Sequence, residues 1–104
     1  MAEWYAGRGV ALLDRNWRVR AGEIDLVLAD GPTVVFCEVK TRRHHGFGTP
    51  FDAVTPAKQR RLRGLAVTWL RERALRAADL RFDVAAVTWP ADGEPVVEVV
   101  VGAF

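Results

Sequence analysis

A chain of 104 residues, half of them hydrophobic and 27% charged, has the balance of one small globular domain rather than a disordered tail or a fibre. Fifteen Lys and Arg against thirteen Asp and Glu leave a net charge of +2, which only hints at an anionic partner. One cysteine excludes an internal disulfide, and no apolar stretch approaches the ~20 residues of a membrane span. No signal-peptide pattern stands at the start, so the expected address is the cytoplasm with no membrane partner. Of the basic residues, 13 are Arg and only 2, Lys40 and Lys58, are Lys.

In chain order, residues 3–8 read as the end of a helix closed by Gly9. Trp17 and Val19 alternate with arginines as a short strand with one wet face. Ile24 to Ala29 is a strand, Asp30-Gly31-Pro32 a turn, and Thr33 to Val39 a second strand, so the two form a hairpin. Residues 43–54, with Gly46, Gly48 and Pro50, are a loop. Thr55 and Pro56 then open a helix. Leu62, Leu65, Ala66, Trp69 and Leu70 form its apolar face, and the pattern runs to about Ala78. Arg81 to Trp89 and Val96 to Val101 are two more strands about a turn at Pro90 to Pro95. The order β-β-β-α-β-β, with a helix in front, is a mixed α/β domain.

Alternation along a strand puts Ile24, Leu26 and Leu28 on one face of the first hairpin strand and Asp25 and Val27 on the other. On the second strand Phe36, Glu38 and Lys40 share a face. In a hairpin turning at Gly31, residue 25 pairs with about 37 or 38, so Asp25 and Glu38 are expected to be neighbours. Two carboxylates that close repel. A hard divalent cation, Mg²⁺ or Mn²⁺, relieves the repulsion. Lys40, two residues beyond Glu38, points into the same site. From there it can orient a water and stabilise charge developing on a phosphate.

Asp25 with Glu38-Val39-Lys40 resembles the signature of the P-D…(D/E)-x-K nuclease superfamily. More narrowly, the chain resembles the YraN family of bacterial endonuclease-like proteins. The residues that carry this resemblance are Arg15-Asn16-Trp17-Arg18, Gly22-Glu23-Ile24-Asp25-Leu26, Val35 to Arg42, Phe47-Gly48, Ala53-Val54, Lys58, Leu62 and Arg81-Phe82-Asp83-Val84. The resemblance covers about residues 4–89. It implies a restriction-endonuclease-like fold, a central mixed sheet flanked by helices. It implies that Asp25 and Glu38 hold the metal, that the peptide carbonyl of Val39 is a further ligand, and that Lys40 assists. Lys58 matches a family position and could reach a phosphate. It implies, too, an acidic residue in a helix ahead of Met1, so this single domain, residues 1–104, is expected to lack part of its N-terminal helix. Glu3 is near that position but out of register.

The same residues admit plainer readings. Asp25, Glu38 and Lys40 could form a structural ion pair at a strand end, and Glu23 reads best as a solvated turn residue. Arg42, Arg43, His44 and His45 could hold phosphate or simply be solvated. Zinc is not expected, since adjacent histidines rarely face one ion and no cysteine stands nearby. Cys37, Trp17, Trp69 and Trp89 read as core and Trp4 as exposed by a short N-terminus. Asp83 could support the site or pair with Arg81.

Three functions follow. The first is a metal-dependent endonuclease that hydrolyses DNA phosphodiesters, on branched or damaged DNA. Arg42, Arg43 and Lys58 would hold the backbone without reading sequence. The second is a non-catalytic nucleic-acid-binding module on the same fold, and the third a small interaction protein. The oligomeric state is left open, with a homodimer among the options.

Overall fold

The computed structural model describes residues 1–43 and 54–104, the side chain of Arg42 excepted. The expected loop residues 44–53, including His44, His45, Gly46, Phe47, Gly48, Pro50 and Ala53, lie outside the described residues. Seven elements follow one another: α1 (Ala2–Ala6), β1 (Ala11–Val19), β2 (Gly22–Asp30), β3 (Thr33–Arg42), α2 (Pro56–Glu72), β4 (Asp79–Thr88) and β5 (Val96–Val100). The strands form one mixed sheet in the order β1-β2-β3-β4-β5. Every neighbouring pair is antiparallel except β3 with β4, which α2 connects as a parallel crossover. The expected element order is therefore observed. No helix among the described residues is long and apolar enough to cross a membrane.

The two helices cover opposite faces. One cluster joins Leu62, Leu65, Ala66 and Trp69 of α2 to Val27, Val34, Phe36 and Phe82. The other joins Tyr5 of α1 to Leu26, Leu28, Val35, Cys37 and Ala85. Alternation along β3 thus divides its side chains between the two layers. Phe36 meets Trp69 edge to face, with ring centroids 5.9 Å apart. Such a pair adds about 0.5–1.5 kcal/mol beyond the area it buries.

The β2–β3 hairpin turns through Gly31 and Pro32, with Asp30 paired to Thr33. Gly31 takes φ +58. A positive φ followed by the negative φ that proline enforces suits a two-residue hairpin turn, and the first value is open to glycine at little cost. The helix α2 opens as the sequence indicates: Thr55 is extended, its Oγ1 accepts the Lys58 N–H at 3.3 Å, and Pro56 takes the first helical position.

Four expectations are corrected. The first strand is longer than expected and contains a bulge between Leu12 and Asp14. The helix α2 stops at Glu72, not near Ala78. Ala74 adopts φ 49, and the N–H groups of Ala74 and Leu75 return to the carbonyls of Arg71 and Leu70. That is a Schellman closure built on alanine where glycine usually signals it. Trp89 is not core. Its 49% exposure follows from its place between the last residue of β4 and Pro90, which cannot extend the ladder. Trp4 is half-buried against the α1-side cluster, while Trp17 packs half-buried on the α2-side cluster.

Candidate metal and phosphate site

The candidate residues gather at one end of the sheet, where the parallel strands β3 and β4 finish. Open α/β sheets bind ligands beyond the carboxyl ends of such strands. The first half of α2 lies at the same end, since Arg61 and Leu65 stand beside Gly22. A Cβ placed on Gly22, where β2 begins, would stand 3.1 Å from Leu65 Cδ1. Glycine there lets the first half of α2 lie close over the strand, which sets Lys58 at this end of the molecule.

The register of β2 with β3 runs from Asp30–Thr33 to Leu26–Cys37. The paired register stops there, one residue short of Asp25 and Glu38, so the expected pairing of these two is not among the observed strand pairs, although the Glu38 charge still acts on Asp25. The two-residue turn makes Asp30 and Thr33 a hydrogen-bonded pair. Residues 33, 35, 37 and 39 therefore direct both backbone groups toward β2. At Val39 the partner is a side chain: its N–H donates to Asp25 Oδ2 at 2.7 Å. Asp25 thus closes the ladder where β2 leaves β3, with its carboxylate near the plane of the sheet. The carbonyl of Val39 leaves the strand on the same edge.

Alternation does not survive at Asp25. Ile24 and Val27 both pack under α2, whereas Leu26 and Leu28 pack on the α1 side. The expected grouping of Ile24 with Leu26 and Leu28, and of Asp25 with Val27, is therefore corrected. The irregularity is shared with β1. Trp17–Ile24 and Arg15–Leu26 are the flanking pairs, and Asn16 between them takes φ 51. Asparagine tolerates that left-handed conformation better than most residues.

Glu38 and Lys40 continue the Phe36 face of β3 and form a half-buried ion pair, Nζ to Oε1 2.9 Å. The structure thus makes two direct contacts, Asp25 with Val39 and Glu38 with Lys40, and couples them by charge. Burial pushes the Asp25 carboxyl above the usual carboxylate range, and the negative charges of Glu38 and Glu23 push it the same way. The Val39 N–H and the Lys40 ammonium act against them. Glu23 is exposed and pairs with Arg18 at 2.9 Å, the solvated role expected of it. Arg43 is exposed and Lys58 half-buried. The side chain of Arg42 lies outside the described residues. Among the described residues no group of three or more His, Cys, Asp or Glu side chains is arranged to hold a metal.

Behind the site lies a buried polar network. Asp83 is 1% exposed and accepts from Tyr5 Oη at 2.8 Å, from Arg81 Nε at 3.0 Å and from the Gly102 N–H at 2.9 Å. Arg81 reaches on to Asp30 at 2.8 Å. Of the two expected roles for Asp83, the pairing with Arg81 is the one observed. Nothing in the sequence singles out Tyr5. A single tyrosine in a five-residue helix carries no periodic signal, and its partner lies 78 positions away.

A cavity of about 490 Å³ opens on the α1 side of the same sheet end. Asp25, Leu26, Val39, Thr41, Val87, Trp89, Arg15 and Asn16 contribute to its walls, together with residues 1–3.

A family model described as "Uncharacterised protein family UPF0102" matches residues 1–87. A UPF0102 protein of Rhodococcus opacus is 50% identical over 103 residues, covering 99% of this chain and 87% of that protein. One from Acidothermus cellulolyticus is 49% identical over 106 residues, covering 92% of this chain and 80% of its own length. One from a Nocardioides strain is 48% identical over 101 residues, covering 97% and 82%. With a matched region that contains β1 to β3, α2 and nearly all of β4, and relatives of this identity along almost the whole chain, the protein belongs to the UPF0102 family.

Proposed function

We propose that the protein is a metal-dependent endonuclease that hydrolyses DNA phosphodiesters, with a restriction-endonuclease-like sheet. The observation that supports this reading is the pair of contacts at the end of the parallel strand pair, Asp25 with the Val39 N–H and Glu38 with Lys40, with the Glu38 and Lys40 charges acting on Asp25. The resemblance to the P-D…(D/E)-x-K signature and the YraN family supports it.

The donor chemistry fits a hard divalent cation. Asp25 is a partly desolvated carboxylate whose charge burial and two neighbouring acids disfavour. A cation beside it reverses that penalty. Asp25 and Glu38, with the Val39 peptide oxygen, would hold Mg²⁺ or Mn²⁺. The ion would supply Lewis acidity toward the phosphate and toward the attacking water. Lys40 carries its ammonium one strand-repeat beyond Glu38. There it donates hydrogen bonds to the water or to the phosphoryl oxygens as negative charge grows on them. Asp25 keeps β3 in register through the Val39 N–H, so the Glu38 and Lys40 backbones are held while substrate binds. Arg43, Arg42 and Lys58 are assigned to the phosphate backbone, a contact that orients DNA without reading sequence.

A second reading rests on a specific observation: the Glu38 charge is already neutralised by Lys40. A nucleic-acid-binding module without catalysis would retain that pair. Cleavage of a branched DNA by wild type, Glu38→Gln and Lys40→Ala in Mg²⁺ or Mn²⁺ separates the two. The nuclease reading expects cutting by wild type and a loss of at least roughly 100-fold in both variants, with DNA binding nearly intact. An inert wild type that still binds DNA passes the assignment to the binding module. Equal cutting by Lys40→Ala removes the role given to the lysine.

A further inference from the structure

We propose that the cavity beside Asp25 receives an unpaired nucleobase of a single DNA strand, stacked on Trp89. This names the substrate feature recognised by the site described above, and it rests on that nuclease reading.

Three side chains with complementary chemistry meet there. Trp89 presents a large aromatic face to solvent, 49% exposed, although a tryptophan normally contributes its area to a core. Its position just past Thr88 keeps it at the sheet end where β3 and β4 finish together, with Thr88 in register with Arg42. Asn16 is exposed, and its amide has no hydrogen-bond partner among the described residues. An amide carries both donors and an acceptor, the combination needed to meet a base edge. Arg15 is exposed and has no ion-pair partner among the described residues, so its guanidinium is open to a phosphate. The acidic lining is Asp25 and Glu3. Glu3 is engaged by the terminal ammonium at 3.2 Å.

The dimensions agree. A volume of about 490 Å³ lies within the ~300–1,000 Å³ range of small-ligand sites. A base paired within a duplex hides its face against its neighbours, and side chains reach only its groove edges. An unstacked base offers its whole face to an aromatic ring, whichever base it is. Asp25 and Val39 both line the cavity, so a base held there lies beside the end of β3. The local irregularity that turns Asp25 out of alternation, with Asn16 at φ 51, brings both residues to the cavity.

The test is fluorescence anisotropy of a labelled oligothymidylate and of a blunt duplex, in EDTA so that nothing is cut. Wild type should prefer the single strand. Trp89→Ala should weaken oligothymidylate binding roughly tenfold, as expected when one stack is removed, and should leave duplex binding unchanged. Trp89→Phe should recover most of that affinity, because a smaller ring still stacks. Trp89 is exposed, so these variants are expected to fold, and circular dichroism with a melting curve checks that they do. Equal oligothymidylate affinity in wild type and Trp89→Ala overturns the proposal, as does a wild type with no preference for the single strand. A parallel cleavage assay in Mn²⁺ keeps the two readings apart. An inert wild type whose single-strand binding depends on Trp89 sinks the nuclease and leaves the base pocket standing. A wild type that cuts, with single-strand binding indifferent to Trp89, does the reverse.

Discussion

Asp25 is held in a charge state its surroundings oppose. Burial raises its folded-state pKa above the ordinary carboxylate value, so folding favours the neutral acid. The stability it contributes is present below the usual carboxylate range and is lost as pH rises through the raised value. Asn at this position keeps an oxygen for the Val39 N–H and carries no charge. Asp25→Asn should therefore be more stable than wild type at neutral pH, and the gain should shrink as pH falls below about 4, the unfolded value. Urea midpoints at both pH values measure this, and a pH-independent difference contradicts it. Cys37 is the second residue-scale case. At 1% exposure, burial first and then the Asp83 and Asp25 charges push its thiol up to about 12, against the opposing effect of the nearby Tyr5 hydroxyl. Iodoacetamide at pH 8 should label it at least roughly 100-fold more slowly in the folded protein than in urea, because labelling must await an opening of the sheet.

Among the elements, α1 is the one that cannot stand on its own length. Five residues are far fewer than an isolated helix requires. Tyr5 anchors it by burying its ring and donating to Asp83. Tyr5→Phe should cost about 1.5–3 kcal/mol, the value of a hydrogen bond to a charged acceptor. Asp83→Ala should cost about 3–5 kcal/mol, because it leaves Arg81, the Tyr5 hydroxyl and the Gly102 N–H without their shared acceptor. Denaturant unfolding of both single variants and the double variant tests this. If the network is a unit, the double variant costs little more than Asp83→Ala alone. The helix α2 differs: its cap, its proline and its buried face support one another, so it needs no such latch.

For the molecule as a whole, charge is spread thinly. A net charge of +2 cannot supply a strong general attraction to DNA, so any tight binding must come from placed cations. Arg43 follows the end of β3 and Lys58 lies in the first turn of α2, the cations assigned above to the phosphate backbone. Arg43→Ala and Lys58→Ala should each weaken DNA binding and lower the salt slope by about one for each phosphate deprived of its cation. A slope unchanged in both variants would remove these residues from the interface.

The sequence by itself determined the elements and their order. Alternating apolar residues, the Asp-Gly-Pro turn, the Thr-Pro helix start and the leucine–tryptophan face are local signals, each readable within a few residues. It also determined the hairpin register from Asp30–Thr33 to Leu26–Cys37, because a two-residue turn sets the register of the strands that leave it. Tertiary structure decided what depends on packing between distant segments. The alternation at Asp25 yields because Ile24 and Trp17 are drawn under α2, which no strand pattern records. The end of α2 at Glu72 uses an alanine in a glycine's conformation. Tyr5 and Asp83 became partners only when β4 was placed beside β3 beneath α1. Trp89 reads as core by its residue type, yet it lies past the last rung of the ladder and faces solvent. Burial is a property of the packed layers, not of the residue type.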